Sequence, residues 1–292
     1  MNRRQCISSL LALTLPIMTG VTRSVWSQET QSERVLSLGG TVTEIIYELG
    51  QGSLLIGSDI SSLYPPQVAD LPQVGYYRSL SLEGVLSLKP SLILASEQAG
   101  PKRVLDQLSA LGVRVESIPD DATLASLYQR IERIGQILQV PDKAQQLQHH
   151  VQSNIEQIQQ QVRLNPIRKL KKAAVLMQRS HQIQWAGQST VAQLLLDQLG
   201  LDNLGKDHIG YKPVSHESLI AAQPELIVLS QHSLSGYRSV AQFLEQTGLS
   251  LTPAGHHHSV VVMDDLLLLG LGPRFSQALS HLYTAHQQFV QS

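Results

Sequence analysis

In QVGYYRSLSLEG, residues 73–84, two adjacent tyrosines stand between a glycine and an arginine, just ahead of a Ser-x-Glu that reads as a helix start. Aromatic residues make up only 4% of the 292-residue chain, so a pair of them in a loop asks for a chemical reason. A phenol ordinarily gives up its proton near pH ~10, and Arg78 is the neighbouring cation that could ease that loss. The other reactive side chains narrow the field. The only cysteine, Cys6, precedes everything that reads as folded, which leaves no thiolate nucleophile, thiolate metal site or disulfide. His256, His257 and His258 together with Asp264 or Asp265 could suggest a zinc hydrolase. No His-x-x-x-His or His-Glu spacing supports that reading, and consecutive side chains of an extended segment alternate in direction. A Ser-His-Asp hydrolase lacks its Gly-x-Ser-x-Gly turn. GGTVTE (39–44) could cradle an anion at a helix N-terminus, or serve as a packing pair of glycines.

The elements that position these residues come in two copies. LEGVLSLKPSLILAS (82–96) and HESLIAAQPELIVLS (216–230) superpose without a gap at an offset of 134. Each reads as a short amphipathic helix opened by an acid, then a proline, then an apolar run suited to a buried parallel strand. Upstream, Gly75-Tyr76 corresponds to Gly210-Tyr211, and GGTVTEIIYELG (39–50) to GQSTVAQLLLDQLG (187–200). Alternation of strand and helix in both copies predicts two Rossmann-like α/β lobes with parallel sheets, residues 34–140 and 172–292. Between them, 141–165 reads as one long helix, begun by Pro141 and stopped by Asn165-Pro166, with Leu147, Val151, Ile155, Ile158 and Val162 as its apolar stripe. Such a bridge resists large hinge motion. His149 and His150 read as solvated residues of that helix.

Residues 1–27 run from Arg3-Arg4 through an apolar stretch to small residues, the order of a secretory signal, with cleavage placed after Ser27. Their removal leaves 19 basic against 23 acidic side chains, a net charge of −4, which gives nucleic-acid binding no support. No later segment is apolar for long enough to span a bilayer, since Val260 to Leu271 is interrupted by Asp264 and Asp265. A soluble exported protein of about 265 residues, enough for two modest α/β lobes, is the expectation.

Signal, paired lobes and bridging helix together resemble the helical-backbone (class III) periplasmic binding proteins, which serve ABC importers of siderophores, cobalamin, haem, zinc and manganese. VGYYRSLSLEGVLSLKPSLILASEQAGP, GGTVTEIIYELG, GYKPVSHESLIAAQPELI and LLLLGLGPR resemble the haem-binding branch. The resemblance implies capture of ferric haem between the lobes and delivery to an inner-membrane ABC permease, with Tyr76 as the iron ligand. A hard phenolate oxygen suits hard ferric iron. All eleven histidines lie at or after position 149, so a transition-metal site fed by histidines of both lobes is disfavoured. From the second lobe, His181, His256, His257 and Tyr211 are candidate second ligands or supports. Arg78 and Lys212 are candidates to support the phenolate or a haem propionate. Glu83 and Glu217, equivalent acids of the two repeats, match the family's permease-docking glutamates, although acids at helix starts are also favoured by the macrodipole. A ferric siderophore or cobalamin is the alternative ligand within the same architecture.

Overall fold

The computed structural model describes residues 33–179 and 182–291; the expected signal, 1–27, and His181 lie outside the described residues. The first lobe is a four-stranded, wholly parallel sheet in the order β2-β1-β3-β4. Its strands are β1 (Val35–Leu38), β2 (Leu55–Ser58), β3 (Leu92–Ser96) and β4 (Arg114–Ile118), connected through α1 (Gly40–Glu48), α2 (Leu82–Ser87) and α3 (Lys102–Ala110). Every residue of β1 and β3 is buried, as expected of central strands covered by helices on both faces. The strand order reverses between β1 and β3, and a crevice outside the carboxyl ends at such a point is where open α/β sheets bind ligands.

α4 (Leu124–Ile137) closes the lobe, and α5 (Pro141–Leu164) then carries the chain across. Its 24 residues span about 36 Å. Pro141 occupies the first turn, where a missing N–H costs nothing. The apolar stripe is not free. Val151 and Ile155 are each 1% exposed, and with Leu147, Ile158 and Val162 they join one core shared with α1, α4 and helices of the second lobe. Burying each of the two innermost side chains contributes about 1.5–3 kcal/mol.

The second lobe contains β5 (Lys172–Arg179), β6 (Gln182–Ala186), α6 (Val191–Leu199), β7 (Asp202–Asn203), β8 (Tyr211–Pro213), α7 (His216–Ala222), β9 (Leu226–Ser230), α8 (Val240–Gln246), α9 (Pro253–His256), β10 (Val260–Met263), α10 (Asp265–Leu269) and α11 (Phe275–Gln291). Its sheet order is β10-β9-β5-β6-β8, with β7 also on β5. Here the expectation of two parallel sheets needs correction. β6 runs antiparallel to both β5 and β8, so the second sheet is mixed. The chain doubles back in a β5–β6 hairpin before entering α6, whereas β1 enters α1 directly, and no repeat in the sequence signals that insertion. The helix–strand units that repeat are α2–β3 and α7–β9. Ser81 and Ser215 cap α2 and α7 alike, each hydroxyl accepting the backbone N–H three residues on, from Gly84 at 3.0 Å and Ser218 at 3.2 Å.

Two arginines tie the lobes together beside α5. Arg130, 1% exposed on α4, donates to the Leu271 carbonyl at 2.7 Å and the Thr41 hydroxyl at 3.1 Å, and pairs with Asp120 at 3.0 Å. From the second lobe, Arg274 pairs with buried Glu44 at 3.2 Å and lies 3.7 Å above the Tyr64 ring.

Candidate functional site

Tyr76 and Tyr77 sit at the carboxyl end of the first sheet on a loop built by backbone pairing. The segment before it runs beside the end of β2, with Val74 N–H donating to Ser58 and Ile60 N–H to Gly75. Gly75 has a φ of +86°, the left-handed region that glycine reaches without steric cost, and this turns the chain away from β2. The Ser79 N–H then closes a tight turn on the Tyr76 carbonyl at 2.8 Å, and the Gly100 N–H reaches the Tyr77 carbonyl at 2.9 Å. Val74 and Leu80, both buried, pin the loop at either end.

The adjacent rings have different jobs. Tyr77 packs against the first lobe's apolar cluster, and its hydroxyl accepts from Arg78 Nε at 3.0 Å. Burial pushes the Tyr77 phenol up to about 12, against the pull of Arg78, so it stays protonated. Tyr76 belongs to no apolar cluster, stands edge-on to Tyr77 with 5.0 Å between centroids, and leaves its hydroxyl without a protein partner among the described residues. Tyr77 is the anchor and Tyr76 the free phenol. Arg78 is therefore bound to the neighbouring tyrosine rather than to Tyr76, although the Tyr76 ring still lies within its field.

Beneath the loop lies a residue the sequence reading passed over. Asp59 is fully buried just after β2, and its carboxylate accepts Gly39 N–H (2.8 Å), Ser61 N–H (3.0 Å), the Ser61 and Ser62 hydroxyls (2.7 and 3.0 Å) and Tyr77 N–H (3.4 Å). The anion that GGTVTE cradles is thus the protein's own. Gly39 is needed there: its φ is +114° and a Cβ would stand 3.1 Å from that of Ser96. An aspartate followed at the second and third positions by serines, in IGSDISS, was the available signal.

Across from Tyr76, the second lobe presents Arg179, the last residue of β5, whose guanidinium lies 5.8 Å from the Tyr76 ring centroid. Arg179 is two residues before His181, the candidate that the sequence singles out in this stretch. The other second-lobe candidates are placed differently. His256, His257 and His258 precede β10, and the register aligns Val260 with Ala174, five residues back along β5 from Arg179. That puts them about 16 Å down the strand direction, at the opposite end of the sheet from Tyr76. Tyr211 is on β8, its hydroxyl buried without a partner among the described residues and its phenol pushed upward by burial, so it does not offer an ionised oxygen to the cleft. Lys212 is exposed on β8 opposite Trp185. Trp185 packs in the second lobe's core, edge-on to His208.

Asp264 and Asp265 are occupied structurally. Asp264 caps α10 through Leu267 N–H at 2.9 Å, and Asp265 accepts the His232 N–H at 3.1 Å. Among the described residues no group of three or more His, Cys, Asp or Glu side chains is arranged to hold a metal ion. Beside these acids an open depression of about 680 Å³, lined by Gln231, His232 and Leu234 among others but by neither Tyr76 nor Arg179, lies at the carboxyl ends of β9 and β10. Another depression, of about 480 Å³, lies along polar residues of α5 such as Glu156 and Arg163, away from the strand ends. Glu83 and Glu217 are both exposed in the first turns of α2 and α7, which run back along β3 and β9 and so begin at the carboxyl ends. The Glu217 carboxyl is held below its usual range by its own N–H and the Ser215 hydroxyl.

A model of a family described as "Periplasmic binding protein" matches residues 35–267. Among solved structures, the periplasmic heme-binding protein RhuT from Roseiflexus sp. RS-1 is 36% identical with a TM-score of 0.83, over 89% of this chain and 100% of that one. The periplasmic heme-binding protein HutB of Vibrio cholerae is 33% identical with a TM-score of 0.76, over 87% and 98%. The vitamin B12-binding protein of Photorhabdus laumondii is 30% identical over 198 residues, 68% of this chain and 70% of that protein. No helix among the described residues is long and apolar enough to cross a membrane.

Proposed function

This chain belongs to the periplasmic binding protein family, the substrate-binding proteins of ABC importers, and from that premise we propose that its substrate is ferric haem, held between the lobes by the Tyr76 phenolate. The observation that carries the reading is the division of labour between the tyrosines: Tyr77 is spent on packing and on Arg78, while Tyr76 keeps a free oxygen at the strand ends. An anionic phenol oxygen is a hard donor for trivalent iron. Working in the periplasm, the protein would hand its cargo to an inner-membrane permease through Glu83 and Glu217, which are exposed at the cleft end of both lobes. Arg78, Lys212 and His181 stand as candidate contacts to the propionates or the second axial position.

Absorption titration of residues 28–292 with hemin tests this. The expected result is a 1:1 endpoint with a high-spin, phenolate-type spectrum that Tyr76→Phe abolishes; a low-spin spectrum would bring in a histidine, with His181 the first to replace. An unchanged spectrum in Tyr76→Phe would remove the proposed ligand. The similarity to a vitamin B12-binding protein supports cobalamin as the second reading. Equilibrium dialysis against cyanocobalamin and hemin separates the two, since retention of cobalamin alone would replace haem as the substrate. A ferric siderophore joins the same comparison as a third ligand.

A further inference from the structure

We propose that Arg179 guards the Tyr76 ring in the ligand-free cleft and moves from it to a carboxylate of the entering ligand, which makes capture selective for an acidic macrocycle. The inference rests on the reading of Tyr76 as the iron ligand. Three cation–aromatic contacts occur among the described residues, and two are tied down by other bonds. Arg274, above Tyr64, is locked by its ion pair with Glu44, and Arg78 donates a hydrogen bond to Tyr77. Arg179 has neither. It is exposed, no carboxylate pairs with it among the described residues, and its 5.8 Å from the ring centroid is near the outer limit of about 6 Å for such an attraction.

A guanidinium whose side chain makes only a weak, solvent-exposed contact keeps its planar fork of five donors available. Its position gives that availability a direction. Arg179 ends β5, so it reaches from the second lobe over a ring of the first. A macrocycle that packs against this face of the Tyr76 ring takes the place the guanidinium occupies. A ligand with free carboxylates offers the guanidinium a bidentate, charge-assisted bond stronger than the one it leaves. A ligand whose acids are esters or amides offers no such exchange, and Arg179 remains an obstacle to it.

Stopped-flow and equilibrium binding of hemin and hemin dimethyl ester to the exported chain and to Arg179→Gln and Arg179→Lys test the exchange. The wild-type protein should prefer hemin to its ester by roughly 10- to 100-fold, the range of one charge-assisted bond. Arg179→Gln should lose that preference and admit the ester faster than wild type does, while Arg179→Lys should keep part of it. Circular dichroism confirms that each variant is folded. Should hemin bind the wild-type protein through Tyr76 while Arg179→Gln retains the full preference for the free acid, the guard is wrong and the haem reading stands. Failure of the wild-type protein to bind hemin at all would overturn both.

Discussion

Two phenols five ångströms apart are made chemically unequal by what lies around them. Burial raises Tyr77 to about 12 while the Arg78 bond keeps its oxygen engaged, so Tyr77→Phe should leave a hemin spectrum in place and cost only about 1 kcal/mol in urea-induced unfolding. Tyr76→Phe should do the reverse: near-wild-type stability, with affinity for hemin falling by more than the roughly 10–100-fold typical of losing a mere supporting partner of a metal ligand. Equal spectral effects of the two substitutions would refute the distinction. The sequence singled out the pair but not how Arg78 would be used. An arginine adjacent to both rings can reach either, and which it meets depends on the turn that Gly75 and Ser79 impose. Arg179 was harder still to read, because its aromatic partner lies about a hundred residues away on the opposite lobe.

At the level of elements, the readable parts were those whose causes are local. Ser81 and Ser215 announce helix starts, Pro141 and Asn165-Pro166 bracket α5, and the apolar runs of β3 and β9 could only be buried strands. The β5–β6 hairpin was not readable, since its antiparallel strand is set by pairing with β8, nor was it readable that a histidine run just before β10 falls at the far end of the sheet. Asp59 holds the β1–α1 turn, the loop after β2 and the tyrosine loop with a single carboxylate. Asp59→Asn puts an amide donor among donors, so about 1–3 kcal/mol should be lost for each group left unmatched, with the tyrosine loop's amides exchanging faster by hydrogen–deuterium exchange; wild-type stability and protection would show the carboxylate to be dispensable. α11 carries a pH-sensitive residue. His286 is 1% exposed, its Nε2 bonded to the Lys169 carbonyl at 2.9 Å, and burial lowers its pKa despite that bond. The native state thus binds the proton less readily than the unfolded chain, and stability should be full above about pH 6.5 and decline as pH falls below it. Chemical denaturation at pH 7.5 and 5.0 should show a smaller difference in His286→Gln than in wild type.

The whole molecule is two lobes clamped along one side by α5 and by paired arginines, and its cleft end is spanned by the light contact between Arg179 and Tyr76. Arg130 and Arg274 each cross to the other lobe through buried partners, so ligand entry has to be accommodated by side chains and loops at the cleft more than by a swing of whole lobes. The Arg274–Glu44 pair tests how much the clamp contributes. Burial raises the Glu44 carboxyl and Arg274 opposes that rise; Arg274→Met removes the opposition and leaves an acid that is 2% exposed. Such an acid is tolerated while it holds its proton, so stability persists at pH below the ordinary carboxylate range and is lost as pH climbs through the elevated folded value. Near pH 7.5 the variant should therefore be weaker than wild type by about 3–5 kcal/mol, with a smaller deficit at pH 5. Glu44→Gln combined with Arg274→Met should recover much of the loss at the higher pH, because no charge is then left buried. A deficit that stayed constant from pH 5 to 8, or that the double variant did not reduce, would mean that Arg274 steadies the lobes through its contact with Tyr64 and not through the acid.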